Sequence, residues 1–309
     1  EITTGLDFPE GPIAMDDGSI ILVEIAGGKL TRVKRNGSHQ ILARMSGGPN
    51  GAAFGPDGRV YVCNNGGFEW GKDSLSGRIR PIRQANDYDT GRIERVDLAT
   101  GNVERLYDRC GSHKLNGPND LVFDQKGNMW FTDLGKSRSR DMDRGVVYWA
   151  RPDGREIKEV IQPITTPNGI GLSPDEKTLY VAETEGARLY GFSIVGDGII
   201  EKLPFPQSLN GGRLVTCDGG FRRFDSLAVE ANGNICVATL MTGGITIARP
   251  SGGTTDFLET DDPYTTNICF GGVGLHTAFL TLSWQGQLVA CDWLRSGLPL
   301  NFLNTAHQM

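Results

Sequence analysis

Asn119-Asp120-Leu121-Val122-Phe123-Asp124-Gln125-Lys126-Gly127-Asn128-Met129-Trp130-Phe131-Thr132-Asp133 reads as one hairpin: a strand, a tight turn at Gly127, and a second strand-forming run. Its unusual feature is the polar Asn119 eight positions ahead of the turn. The same offset recurs five more times: Glu10 precedes Gly18, Asn50 precedes Gly58, Asn168 precedes Glu176, Asp225 precedes Gly233, and Asn267 precedes Leu275. Runs such as Ile20-Ile21-Leu22-Val23, Val60-Tyr61-Val62 and Ile235-Cys236-Val237 follow the turns. A repeat whose constant element is an oxygen-bearing side chain, within a segment that should be buried strand, implies a demand for oxygen ligands at the centre of the fold.

Each unit continues into a third strand: Lys29 to Lys34, Gly91 to Leu98, Gly145 to Arg151, Ala187 to Ile194, Gly244 to Arg249 and Gln287 to Trp293. Further turns at Asn36-Gly37, Thr100-Gly101 and Asp153-Gly154 lead to fourth strands. Three or four antiparallel strands per unit, repeated radially, make a propeller blade. The expectation is an all-β protein, a six-bladed β-propeller forming a single domain over 1–309. The repeats start 40 to 69 residues apart, and the excess measures inserted loops. The largest insert, about 64–89, lies between a second and a third strand. In an up-and-down blade that junction shares a face with the start of the first strand, so the insert and the six polar residues are expected on one face, the mouth. The stretches 108–118, 134–144 and 204–223 are assigned to the same face, where long loops over a rigid scaffold collect function.

Among 309 residues there are 43 glycines and 15 prolines, which suits many short strands, and no long amphipathic helix is legible. A net charge of −6 disfavours a nucleic-acid partner. The basic runs Arg78 to Arg83 and Lys136 to Arg140 read as solvated loops. Six cysteines lack zinc spacing and resemble small buried hydrophobes of a reducing compartment. With no apolar run of transmembrane length, a soluble, cytoplasmic protein without a membrane partner is expected, a monomer or small homo-oligomer. The chain begins without Met, which leaves a removed leader open. P-loop and G-x-S-x-G patterns are missing, which disfavours nucleotide cofactors and serine-hydrolase chemistry.

Equivalent positions on six innermost strands form a ring. Two carboxylates, Glu10 and Asp225, with amide oxygens from asparagines make a hard donor set suited to one divalent cation such as calcium, magnesium or manganese. No ring position is a histidine, and His39, His113, His276 and His307 are too scattered for a three-histidine zinc site. The competing account of each position alone is a turn cap. Taken as a set, two carboxylates facing each other in a closed centre repel unless a cation lies between them.

The phrases Pro9-Glu10-Gly11-Pro12, Gly117-Pro118-Asn119-Asp120-Leu121, Thr166-Pro167-Asn168-Gly169-Ile170, Arg223-Phe224-Asp225-Ser226-Leu227 and Asn267-Ile268-Cys269-Phe270-Gly271-Gly272 resemble the gluconolactonase and senescence-marker-protein family, over nearly the whole chain and in the family's order. The resemblance implies a six-bladed propeller, one divalent cation (calcium first, with magnesium, manganese or zinc as alternatives) held by Glu10, Asn119, Asn168 and Asp225, and hydrolysis of a small-molecule lactone, commonly a sugar lactone. Gly117 stands where the animal branch has a substrate-contacting Arg, and the 64–89 insert is this chain's own. Both departures bear on substrate rather than metal.

On this reading Asp225 is the general base, or attacks directly as nucleophile, and Asp120 steers water or a substrate hydroxyl. Asn50 and Asn267 contact substrate or support the ligands. Phe68 and Trp70, with Tyr88, form an apolar lid or pack on the propeller rim. Glu24, Asn64, Asp133 and Glu183, at second-strand ends, extend the pocket or stand as solvated loop entries. The alternatives are a phosphotriesterase or fluorophosphatase on the same cation, and a non-enzymatic metal-binding propeller.

Overall fold

A computed structural model describes residues 1–217 and 219–304. Among the described residues six antiparallel sheets of three to five strands follow one another along the chain, with two further two-stranded sheets in the loops. Blade 1 is Pro9–Ala14, Ile20–Glu24, Lys29–Val33 and His39–Arg44; blade 2 is Pro49–Phe54, Val60–Asn64, Arg92–Val96 and Val103–Tyr107. Blade 3 is Pro118–Phe123, Met129–Asp133, Gly145–Ala150 and Ile157–Ile164. Blade 4 begins Pro167–Leu172, Thr178–Glu183 and Arg188–Gly196; blade 5 is Arg223–Val229, Ile235–Leu240, Gly244–Ala248 and Thr254–Glu259. Blade 6 has three strands, Thr265–Gly271, Thr277–Leu282 and Gln287–Asp292. The expected six-bladed β-propeller is the fold. Among the described residues the only helix is the 3-10 turn Val273–Leu275, and no helix is long and apolar enough to cross a membrane.

Six apolar clusters sit one at each junction between neighbouring blades. Side chains on a strand alternate between faces, so the middle strands serve two junctions at once. Ile21 and Val23 face blade 2, while Ile20 and Leu22 face blade 6. This two-sided burial explains why second strands read as unbroken apolar runs. The last junction is closed by the N-terminal stretch: Ile2 donates its amide to the Leu288 carbonyl at 2.9 Å, and the Leu288 amide donates to the Thr3 carbonyl at 3.1 Å. The first residues thereby tie the ends of the ring together on the outer edge of blade 6.

All six predicted turn positions adopt positive φ, including the two that are not glycine, Glu176 at 53° and Leu275 at 58°. The repeat is therefore in register across all blades. In blade 4 the outer edge of Arg188–Gly196 is shared by Ile199–Glu201 and Arg213–Cys217, which pair with its two halves. Residues 202–212 thus interrupt an outer strand, and the expectation that all of 204–223 lies on the mouth is corrected for its first half. Asp218 lies outside the described residues.

Neighbouring inner strands approach so closely at the axis that side chains are excluded from some positions. A Cβ at Gly169 would stand 2.6 Å from the Asp225 carbonyl oxygen and 2.8 Å from the Leu227 nitrogen. Both are backbone atoms with no rotamer to yield. Gly169→Ala is expected to destabilise the protein by about 1–3 kcal/mol, the usual cost of overpacking a rigid site. Urea unfolding of the variant checks this, and an unchanged midpoint would mean that blades 4 and 5 slide apart freely.

Candidate metal centre and mouth

Each inner strand gains one extra residue against its partner at the axial position: between Glu10 and Ile13, Pro49 and Ala52, Pro118 and Leu121, Pro167 and Ile170, Phe224 and Leu227, and Thr265 and Asn267. Such a bulge bends the strand and re-aims a side chain. Six bulges at or next to these positions accompany Glu10, Asn50, Asn119, Asn168, Asp225 and Asn267 at the axis, all buried.

Glu10 Oε2 accepts from the Asn267 Nδ2 at 2.7 Å and from the Gly11 amide, and Ser226 Oγ donates to Glu10 Oε1 at 3.4 Å. Asn267 Oδ1 in turn accepts from the Ile268 amide at 2.7 Å. Of the two roles expected for Asn267, substrate contact or support of the ligands, this bond to Glu10 matches the second; Asn50 completes the buried ring. Asp120 Oδ1 accepts from the Leu121 amide at 2.9 Å. Asn168 Nδ2 donates to Thr184 Oγ1 at 3.0 Å, which fixes the amide, and Oδ1 of both Asn119 and Asn168 is buried with no hydrogen-bond partner. Unsatisfied buried oxygens are rare and mark an unfilled role.

Burial first, then repulsion from Asp225 and Asp120, pushes the Glu10 carboxyl well above the usual range. Burial pushes Asp225 up to about 8, with Asp120 adding repulsion and Asn168 opposing it. Asp120 is pushed up to about 7, again by burial. Among the described residues no Lys or Arg pairs with these three carboxyls. Two orphaned amide oxygens beside crowded, buried carboxyls are the chemistry a hard dication satisfies, so the residues present fit one. Among the described residues no group of three His, Cys, Asp or Glu side chains is arranged for a metal, so any cation here would draw on amide oxygens as well. His307 lies outside the described residues.

Glu24, Asn64, Asp133 and Glu183 neither widen the pocket nor face solvent. All are buried, and they accept backbone amides of the loops entering their own blades: Asp7 at 2.7 Å, Gly48 at 3.0 Å, Asn116 and Gly117 at 2.7 and 2.6 Å, and Thr165 at 2.9 Å. They brace the approach to the axial residues of blades 1 to 4. Their repeat at the ends of second strands was the available signal.

The insert folds as a hairpin, Phe68–Lys72 against Ile79–Gln84, on the mouth face. Its Trp70 ring meets Phe68 edge-on at 6.0 Å and Phe8 at 5.1 Å; Phe8 meets Tyr264 at 5.6 Å, and Tyr264 stacks on Trp284 at 5.9 Å. An aromatic arc therefore runs from the insert past Phe8, two residues before Glu10, to blade 6. Tyr88 belongs to the rim, donating to the Asn116 carbonyl at 2.8 Å. Lys136, expected in a solvated loop, is instead buried: its ammonium donates to the Asn65 and Gly67 carbonyls, each at 2.7 Å, and lies 4.4 Å from the Phe68 ring. Burial draws its pKa down to about 7 while the charges of Asp133 and Asp143 oppose the shift; with its bonds to the Asn65 and Gly67 carbonyls and its place over the Phe68 ring, Lys136 staples the insert to blade 3.

A mouth cavity of about 500 Å³ is lined by Arg80, Phe221, Arg223, Met241, Pro263 and Tyr264. A second, of about 460 Å³, opens on the turn face between Phe123, Glu176 and Leu300 and reaches inward to Asp120 and Asn267. Only the first is framed by the insert.

The sequence profile described as the SMP-30/Gluconolactonase/LRE-like region matches residues 8–283. The chain is 28% identical over 237 residues to lactonase drp35 of Staphylococcus saprophyticus, covering 76% of this chain and 64% of that one. It is 26% identical over 308 residues to a gluconolactonase of Zymomonas mobilis, covering 91% and 78%. The chain therefore spans under two thirds of the staphylococcal relative's length. Its fold matches that of a calcium-binding protein, regucalcin, from Agrobacterium tumefaciens, with a TM-score of 0.74 at 16% identity over 98% of this chain and 99% of that one. With the profile spanning most of the sequence and the propeller in register throughout, the chain belongs to the SMP-30/gluconolactonase/LRE-like family.

Proposed function

We propose that this protein is a divalent-cation-dependent hydrolase that opens a lactone ring at the axial site. The observation that carries the reading is the pair of orphaned, buried oxygens on Asn119 and Asn168, at ring positions equivalent to the buried carboxyls of Glu10 and Asp225. Relatives named lactonase and gluconolactonase support the bond type. Glu10, Asn119, Asn168 and Asp225 would hold the cation, calcium being the first expectation. Bound there, a dication supplies Lewis acidity toward an ester carbonyl and its water.

The chain's own residues do the rest. Asp225, as carboxylate, takes a proton from the attacking water, the new C–O bond forms at the carbonyl carbon, and the ring C–O bond breaks. The departing ring oxygen takes up a proton, leaving a hydroxy acid. Asp120, beside Asn119 and buried, orients the water, while Asn267 keeps Glu10 from turning away. The aromatic arc of Trp70, Phe8 and Tyr264 shields the mouth from bulk water.

The test is turnover of sugar, aliphatic and aromatic lactones, beside an organophosphate panel, by chelated protein reloaded with calcium, magnesium, manganese or zinc singly. Cation-restored opening of at least one lactone is expected. Failure with every lactone under every cation overturns the proposal.

A further inference from the structure

The mouth cavity is built from two unlike halves. Met241, Phe221, Pro263 and the Tyr264 ring give it an apolar wall, and two guanidiniums, Arg80 and Arg223, supply charge. The arginines come from separate elements. Arg80 is on the second strand of the insert hairpin, and Arg223 opens the inner strand of blade 5, two residues from Asp225. Arg223 pairs with Glu185 at 3.0 Å, whereas among the described residues Arg80 has no carboxylate in ion-pair range. The phenol of Tyr264 lies within the influence of both guanidiniums and of Asp225, burial raising its pKa and the arginines opposing that rise. Through Arg223 the cavity adjoins the inner strand that carries Asp225.

The chain as a whole is acidic, and its axis holds buried carboxyls. Two cationic groups at the rim of such a site are out of keeping with a neutral ligand. A polyhydroxylated sugar would find few hydrogen-bonding partners on Met241, Phe221 and Pro263. We propose that Arg80 and Arg223 bind a carboxylate substituent of the substrate, so that the preferred lactone is an acid-bearing one with an apolar body. The guanidiniums hold the anion at the rim, away from Glu10 and Asp225, and the apolar wall receives the carbon skeleton. Because Arg80 belongs to the insert, this selectivity depends on the insert hairpin. The inference rests on the lactonase reading for its chemistry, but anion binding at the rim stands separately from turnover.

The experiment uses a five-membered lactone carrying a carboxylate and the methyl ester of the same compound, with the full-length, calcium-loaded protein. Kinetics give the acid-to-ester ratio of kcat/KM, and calorimetry gives the affinity for the acid. The native protein is expected to favour the acid about tenfold or more, the ratio falling about tenfold in Arg80→Gln and recovering in part in Arg80→Lys, whose ammonium keeps charge but not the planar fork. Turnover of both compounds with no acid preference, or a preference untouched in Arg80→Gln, overturns the anion site and leaves the lactonase reading intact. Binding of the acid that weakens in Arg80→Gln, without turnover of any lactone, supports the anion site and removes the lactonase reading. Neither binding nor turnover overturns both.

Discussion

Asp225→Asn is expected to lower kcat for lactone opening by about 10²- to 10⁴-fold, the usual contribution of a positioned general base. The substitution keeps size and shape, so the inner strand of blade 5 and its bulge should persist. On the proposed mechanism it removes the group that accepts a proton and half of the negative charge that Glu10 and Asp225 would offer a cation. A second effect runs the other way. In the cation-free protein Asp225 is buried among like groups, its pKa pushed up to about 8, and a neutral amide there relieves that crowding. The variant is therefore expected to be inactive yet no less stable than the parent when both are chelated, and to gain less from calcium. Steady-state kinetics with paired thermal melts, with and without cation, make the check. Activity within a few-fold of the parent would remove Asp225 from the chemistry. Turnover in heavy-oxygen water separates the two roles of a carboxylate, because only a nucleophile carries the label into Asp225 itself.

That the axial positions were visible in the sequence follows from the physics of repeats. A propeller places equivalent residues on a common axis, so a polar position recurring at fixed distance from a turn identifies the centre without any coordinates. The turn positions were legible even at Glu176 and Leu275, where left-handed backbone is carried by residues other than glycine. Long-range pairings were not. Nothing local in Thr3 announces that it bridges Leu288, and the split outer strand of blade 4 depends on which half of Arg188–Gly196 each segment meets. Lys136 was misread for the same reason, whereas the arginines of the run Arg78 to Arg83 are exposed as expected. Lys136 looks like a loop lysine until the insert folds over it and offers two carbonyls and a ring. Arg80 faces a cavity whose other walls come from blades 5 and 6. The bulges that aim the axial side chains inward are a property of strand pairing, and single-strand patterns do not carry them.

Calcium is expected to stabilise the protein strongly at pH 8 and hardly at pH 5, and to displace protons as it binds. The sign follows from three carboxyls. Glu10 is held well above its ordinary value of 4.5, Asp120 is raised from 3.8 to about 7, and Asp225 from 3.8 to about 8. Across the window from about pH 4 to 8 the unfolded chain has released protons that the cation-free folded state retains. The folded state therefore loses ground as pH rises through that window, its advantage being fully present only below the unfolded values. A dication reverses this, because it requires the deprotonated carboxylates and replaces their mutual repulsion with attraction. At a concentration about 100 times its Kd it would add about 2.7 kcal/mol. Other buried groups shift as well: burial raises Asp133, Asp262 and Glu183, and lowers Lys136. Those groups stand apart from the proposed ligands, so their contributions cancel when chelated and calcium-loaded melts are subtracted at each pH. The difference curve should climb between pH 5 and 8, and calcium added to weakly buffered protein near pH 7 should acidify the solution. Superimposed melts at pH 8, or calcium uptake without proton release, would show that Glu10 and Asp225 do not meet around a cation.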